Sequence, residues 1–163
     1  MSSRSEQGGF TLVVALAALF MVALATQQVM AVVSQQAQRE REAALLRIGA
    51  AYVAAIGAYH ERSPGSVKRW PPSLDALTDD KRFVNLQRHL RKAYADPITR
   101  GGEWGLVPAP DGGVAGIFSR SDLAPIRSAG AALDALGLAR AERYSDWKFV
   151  YQPAPQPAPD SAR

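Results

Sequence analysis

The chain begins polar, turns uniformly apolar, and then becomes periodic. After a short polar stretch, residues 1–9, the run from Phe10 to Val33 carries no charge, and the first charge after Glu6 is Arg39. About 20 apolar residues suffice to carry a helix across a bilayer, where a helix satisfies its own backbone hydrogen bonds. Residues 10–33 therefore predict a transmembrane helix. No proline or glycine interrupts the chain from Phe10 to Arg47, and the polar stretch Ser34 to Glu42 is built mostly from good helix formers. The helix is thus predicted to continue beyond the membrane, over residues 34–62. There Leu45, Ile48, Tyr52, Ile56 and Tyr59 recur at spacings of three and four, which places them on one stripe for core packing. Arg47, Ala50, Ala54, Ala58 and Glu61 occupy the other side. One helix from Phe10 to about His60 would be roughly 75 Å long at 1.5 Å per residue.

Beyond it the pattern predicts a small globular domain over residues 63–151. Pro64-Gly65-Ser66 reads as a loop. Trp70-Pro71-Pro72-Ser73-Leu74-Asp75-Ala76-Leu77 begins a short helix, with Pro72 or Ser73 in its first turn. A second helix is predicted from Lys81 to Tyr94, capped by Asp79-Asp80, with Phe83, Leu86, Leu90 and Tyr94 on its apolar face and Asp96-Pro97 ending it. Glu103 to Val107 and Val114 to Ser119 read as two strands joined through Pro108–Gly113 as a hairpin. Ser128 to Glu142 reads as an alanine- and leucine-rich helix carrying Gly130 and Gly137. Alternation of Trp147, Phe149 and Tyr151 with polar or smaller residues predicts a last strand. Residues 152–163 are proline-rich and predict a disordered tail. The expected fold class is α+β: a long N-terminal helix, half membrane-embedded and half amphipathic, packed on a small antiparallel sheet with short helices.

Size and composition narrow the chemistry. The 163 residues leave room for one membrane helix and one small domain, whose core is small. There is no cysteine, so disulfides, zinc–thiolate sites and cysteine nucleophiles are excluded. The net charge of +4 is a mild excess that does not demand nucleic acid. His60 and His89 are the two histidines. No nucleophile elbow accompanies them, and Gly101-Gly102 and Gly112-Gly113 fit turns rather than a phosphate loop. No enzyme, cofactor or metal is predicted. His60 suits the C-terminal end of the long helix, where a cation is favourable, and His89 the polar side of its own. The basic cluster Lys81, Arg82, Arg88, His89, Arg91 and Lys92 reads as a solvated helix face or as a contact surface for acidic neighbours. Aromatic residues are not interleaved with it, so a stacking platform for single strands is unsupported.

The N-terminus admits three readings. One is a permanent signal anchor. Another is a secretory signal peptide cut after Ala23-Leu24-Ala25, which would release a soluble periplasmic domain; the leader balances Arg4 with Glu6, and the apolar run resumes with Val29-Met30-Ala31-Val32-Val33. The third rests on Gly8-Gly9-Phe10-Thr11-Leu12 standing directly before an uncharged helix. This resembles the leader of type IV pilins and type II secretion pseudopilins.

That resemblance implies cleavage by a prepilin peptidase after Gly9, with N-methylation of Phe10 and the helix left in the membrane. It also implies an N-terminus on the cytoplasmic side of the inner membrane and a periplasmic C-terminal domain. The flanking charges fix orientation poorly, since Arg39 and Arg41 follow the helix while the leader has one arginine. The family usually carries glutamate at the fifth mature position, thought to pair with the N-terminal amine of a neighbouring subunit. Here that assembly position is Val14, which points to a minor or specialised subunit. A carboxylate in lipid is costly without a partner, and Val14 removes both cost and pairing. The many alanines of the first half (Ala15, Ala17, Ala18, Ala23, Ala25) permit close helix approach.

The run Trp70 to Leu77, then Asp96-Pro97-Ile98-Thr99, then Glu103-Trp104-Gly105-Leu106 is similar to the major pseudopilins, whose fold is a spine helix on a small antiparallel sheet. Those proteins bind calcium in a C-terminal loop after a serine-containing strand. The corresponding stretch here, Ser119-Arg120-Ser121-Asp122, offers one carboxylate where calcium wants several oxygens, so no metal is predicted. The function implied is a structural subunit of a type II secretion pseudopilus. Its partners would be the prepilin peptidase, other pseudopilin subunits, an inner-membrane assembly platform with its ATPase, and membrane lipid, with no nucleic acid. The alternatives are a minor type IV pilin for adhesion or DNA uptake, or the soluble periplasmic domain.

Overall fold

The computed structural model describes residues 6–127, 130, 133, 134, 136–138 and 141–154. One helix, α1, runs from Glu6 to Glu61. It begins four residues earlier than the sequence pattern predicts, the helix of the apolar run extending back through Gly8-Gly9 to Glu6. The chain forms two compact units, Met1–Glu40 and Arg41–Arg163.

In the second unit, α1 supplies a buried face. Leu45, Tyr52, Ile56 and Tyr59 are all buried, with Ile48 packed against them. Arg47, Ala50, Ala54 and Glu61 are exposed on the other side. The helical stripe read from the sequence is the stripe the core uses. Three strands complete the unit: β1 (Gly105–Pro108), β2 (Val114–Phe118) and β3 (Phe149–Val150), antiparallel in the order β1-β2-β3. β1 pairs with β2 through Leu106 with Ile117 and Val107 with Gly116, and the register shifts between Val107 and Pro108. The hairpin turn is closed by Ala109 N–H to Gly113 O at 2.7 Å and Gly112 N–H to Ala109 O at 3.0 Å. Ile117 stands opposite Phe149 in the β2–β3 ladder, and both are buried.

The approach of the sheet's aromatics to α1 is close enough to require glycine. A Cβ on Gly49 would lie 2.3 Å from the Phe149 ring, and one on Gly57 would lie 2.7 Å from the Tyr151 ring. Two glycines that weaken a helix by about 1 kcal/mol each are thus the notches into which β3 and its continuation fit. This is an α+β fold with a long N-terminal helix and a small antiparallel sheet.

Three predicted elements differ. Trp70–Leu77 yields only a 3-10 turn at Asp75–Leu77, and a second 3-10 turn lies at Tyr144–Asp146. The helix predicted from Lys81 to Tyr94 does not form; turns and bends take its place. Its backbone groups are claimed by other partners. Asp80 N–H donates to Gln87 O, while His89 and Leu90 N–H both donate to Leu77 O. These bonds fold 80–90 back on the 3-10 turn and override local propensity. Of the helix predicted over 128–142, Leu133 and Asp134 are helical and Leu136–Gly137 turn; residues 128, 129, 131, 132, 135, 139 and 140 lie outside the described residues. So do residues 1–5 of the predicted leader and 155–163 of the predicted tail.

Candidate functional site

The first candidate is the apolar portion of α1. Ten large apolar side chains there are exposed: Phe10, Leu12, Val13, Val14, Leu16, Leu19, Phe20, Met21, Val22 and Leu24. They follow one another too closely to share one face, so the surface is apolar all round. At about 1.5–3 kcal/mol per fully buried side chain, covering them is worth on the order of 20 kcal/mol. Helix α1 is long and apolar enough to span a membrane. Hydropathy and length select Val33–Glu61, half of which is buried in the protein, and mark Gly9–Leu24 as a shorter apolar stretch.

The predicted cleavage and assembly residues all lie there. Gly9 has open space around the place of a Cβ. Phe10 is 73% exposed and Val14 50% exposed. Gly9, Phe10 and Val14 thus lie on one exposed apolar stretch of α1.

The second candidate is a set of buried polar groups in the globular unit. Glu42, read from the sequence as the end of the polar, helix-forming stretch Ser34 to Glu42, has a fully buried side chain. Its Oε1 accepts Ile126 N–H at 2.6 Å, Arg127 N–H at 3.2 Å and Tyr144 O–H at 3.0 Å. Its Oε2 lies 3.9 Å from Arg127 Nε. One carboxylate thereby ties α1 to a loop and a turn that follow it by more than eighty residues in the chain. A buried carboxylate needs such donors.

Asp80, His89 and Arg82 form a second cluster. Asp80 Oδ2 takes hydrogen bonds from Arg82 Nη2 at 2.7 Å and from His89 Nε2 at 2.9 Å. Arg82 reaches further, to Ser63 Oγ and the Tyr59 carbonyl, both at 2.9 Å, with its guanidinium 3.4 Å above the Tyr59 ring. Burial works to raise the pKa of Asp80, and the hydrogen bonds from Arg82 and His89 outweigh it, holding the group at about 2. Asp80 is therefore a carboxylate at neutral pH, and His89 Nε2 carries the hydrogen between them. Neither Arg82 nor His89 lies on a solvated helix face as predicted: the Arg82 side chain is largely covered and that of His89 fully so. Asp80 accepts Arg82 N–H at 3.1 Å, as a helix cap would, but here it closes a turn.

The stretch compared with the calcium loop is also tied internally. Ser119 O–H donates to Asp96 Oδ2 at 2.6 Å, and Asp96 Oδ1 accepts Ile98 N–H at 2.8 Å. Asp122 is exposed, next to Ser145 Oγ at 3.3 Å and Arg143 Nη1 at 3.7 Å. Among the described residues no group of three histidine, cysteine or acidic side chains is gathered to hold a metal. His60, at the end of α1 as predicted, stacks beside Trp70 and Tyr151, with ring centroids 4.6 and 5.9 Å away.

Sequence reasoning missed Glu42 and Asp96 because Ile126 and Ser119 lie 84 and 23 residues from them in the chain, and His89 because the predicted helix placed it on a polar face rather than against Asp80. The signal available was a carboxylate two residues after a charged pair, continuing into the first apolar position of the buried stripe. Compared with known protein families, curated proteins and solved structures, the chain matches none.

Proposed function

We propose that this protein is a pilin-like, inner-membrane structural subunit of a type II secretion pseudopilus. The leader is cut by a prepilin peptidase after Gly9, and Phe10 becomes the methylated N-terminus. The apolar part of α1 then holds the subunit in the bilayer until an ATPase-driven platform draws it into a periplasmic filament that supports export. Val14 favours a minor or specialised subunit over a major one. The observation that carries the reading is the all-round apolar, exposed helix Gly9–Leu24, directly after Gly8-Gly9 and continuous with the helix on which the globular unit is built.

The mechanism needs only these parts. A helix that is apolar on every side can exchange lipid contacts for contacts with neighbouring helices at little cost, since lipid tails and aliphatic side chains are alike in polarity. The covalent continuity of α1 transmits any pull on that segment to the globular unit. The Gly9→Val variant tests the processing step. The wild-type chain extracted from membranes should begin at Phe10, and the variant should keep its full mass. An unchanged mature mass in the variant rejects the reading, and a mature start near Thr26 assigns the protein to the secreted, soluble class instead.

A further inference from the structure

The segment from Asp80 to Gln87 is a loop whose two ends are tied together. Asp80 pairs with Gln87 in an antiparallel bridge, with Asp80 N–H donating to Gln87 O at 3.0 Å. Just beyond, His89 and Leu90 N–H both donate to Leu77 O. Arg82 turns inward to Asp80, Ser63 and the Tyr59 carbonyl, and His89 turns inward to Asp80. The base of the loop thus draws polar side chains inward and leaves aliphatic ones outside. Val84 is fully exposed and Leu86 is 61% exposed. Exposed apolar residues rimmed by polar ones mark interaction sites.

The rim is cationic. Leu86 shares a surface cavity of about 420 Å³ with Thr78, Asp79, Arg88, Arg91 and Lys92. Lys92 Nζ lies 5.3 Å from the centre of the Tyr94 ring and is partly engaged there. Arg88 and Arg91 are exposed, and among the described residues neither has a hydrogen-bond or ion-pair partner. Asp79 offsets one of the three positive charges, so the cavity keeps an excess beside the aliphatic tip.

We propose that this loop docks on the surface of an anionic lipid bilayer. Val84 and Leu86 enter the boundary between headgroups and acyl chains, and Arg88 and Arg91 pair with lipid phosphates. A bilayer interface offers anionic phosphate and hydrocarbon side by side, as the loop requires. Lipid closes around a convex tip of any shape. A protein partner would need a matching pocket and about 800 Å² on each side, which two aliphatic side chains cannot supply. A nucleic acid would meet the cations, but the exposed apolar side chains of the tip are aliphatic and give bases nothing to stack on. The inference stands apart from the secretion reading: the loop belongs to the globular unit, and leader processing can succeed or fail without touching it.

The chain has no cysteine, so one engineered thiol carries one label. Full-length Val84→Cys is labelled with the polarity-sensitive dye NBD and reconstituted into phosphatidylcholine nanodiscs, which house the apolar part of α1. Phosphatidylglycerol vesicles are then added. The expected result is a blue shift and brightening of the dye that saturates with vesicle concentration and shrinks in about 0.5 M NaCl, where screening is short-ranged. Phosphatidylcholine vesicles should leave the dye unchanged. So should phosphatidylglycerol vesicles when the dye sits on Val67→Cys, at an exposed site outside the loop. Adding Arg88→Gln and Arg91→Gln to the Val84→Cys chain should raise the vesicle concentration for half response by about tenfold or more, the loss of two cations at an anionic surface. Both arginines are exposed, and an unchanged near-ultraviolet circular dichroism spectrum shows that the core is intact. Equal responses to the two lipids, an equal response at Val67, or a double variant that responds like its parent overturns the proposal. A larger dye response to a DNA duplex than to phosphatidylglycerol also overturns it, and assigns the cations to nucleic acid.

Discussion

Two stretches of one helix behave as two different materials. From Gly9 to Leu24, α1 exposes apolar side chains in every direction. From Arg41 to Glu61, the same helix is divided: Leu45, Tyr52, Ile56 and Tyr59 face a core, while Arg47, Ala50 and Ala54 face solvent. Hydropathy does not single out the first, since the span it selects, Val33–Glu61, runs through the second. What separates them is who supplies the packing partner. In the second stretch the chain supplies its own, through the sheet and through Glu42. In the first, the ten large apolar side chains from Phe10 to Leu24 are left exposed, and the proposed function gives them lipid or other helices as partners. A long helix can thus be specified by tertiary contacts at one end and by its surroundings at the other.

The sharpest way to break this contrast is at Glu42. Replacing it with Ala removes the acceptor that its Oε1 gives to the Ile126 and Arg127 N–H groups and to the Tyr144 hydroxyl. A loss of about 3–5 kcal/mol is expected for the globular unit, read by thermal unfolding of the full chain in detergent. Membrane retention should not change. Unaltered unfolding would mean that α1 does not depend on the 126–144 region.

A matched pair of truncations sharpens it next. Ile56→Ala, in the core, should cost about 2–5 kcal/mol. Leu16→Ala, on the exposed apolar stretch, should shift the same unfolding transition by less than about 0.5 kcal/mol. Equal effects would erase the distinction between the two stretches.

The smallest effect is acidic. Asp80 titrates near 2 in the folded protein, below the model-peptide value of 3.8. The unfolded chain therefore takes up the proton first, and the stabilisation is present above pH 3.8 and lost as pH falls through 2. Its size is about 2 kcal/mol by linkage. Denaturant unfolding between pH 5 and pH 2 should show this loss, and Asp80→Asn should flatten it. A variant with the wild-type slope would place the acid sensitivity elsewhere.

Much of this contrast is legible in the sequence. The absence of charge from Phe10 to Val33 marks the first stretch, and the Leu45–Tyr59 periodicity marks the second, because both signals are local. The hairpin is legible for the same reason, through the turn chemistry of Pro108 to Gly113. The segment from Lys81 to Tyr94 is not. Its residues have helical propensity and spacing, yet Arg82 and His89 turn inward to Asp80, and Leu77 claims the backbone. Glu42 is hidden likewise: within Arg-Glu-Arg-Glu it is indistinguishable from a solvated charge until Ile126, Arg127 and Tyr144 are brought to it. Gly49 and Gly57 read as weak points in a helix until Phe149 and Tyr151 fill the space where side chains would be.

The central claim is that the apolar end of α1 stays with the mature protein and is packed by something other than this chain. Intact mass and N-terminal sequencing of the protein extracted from cell membranes test it most directly. The account predicts a mature chain that begins at methylated Phe10 and keeps all of the apolar helix. A chain beginning near Thr26, or one that retains residues 1–9, would contradict it.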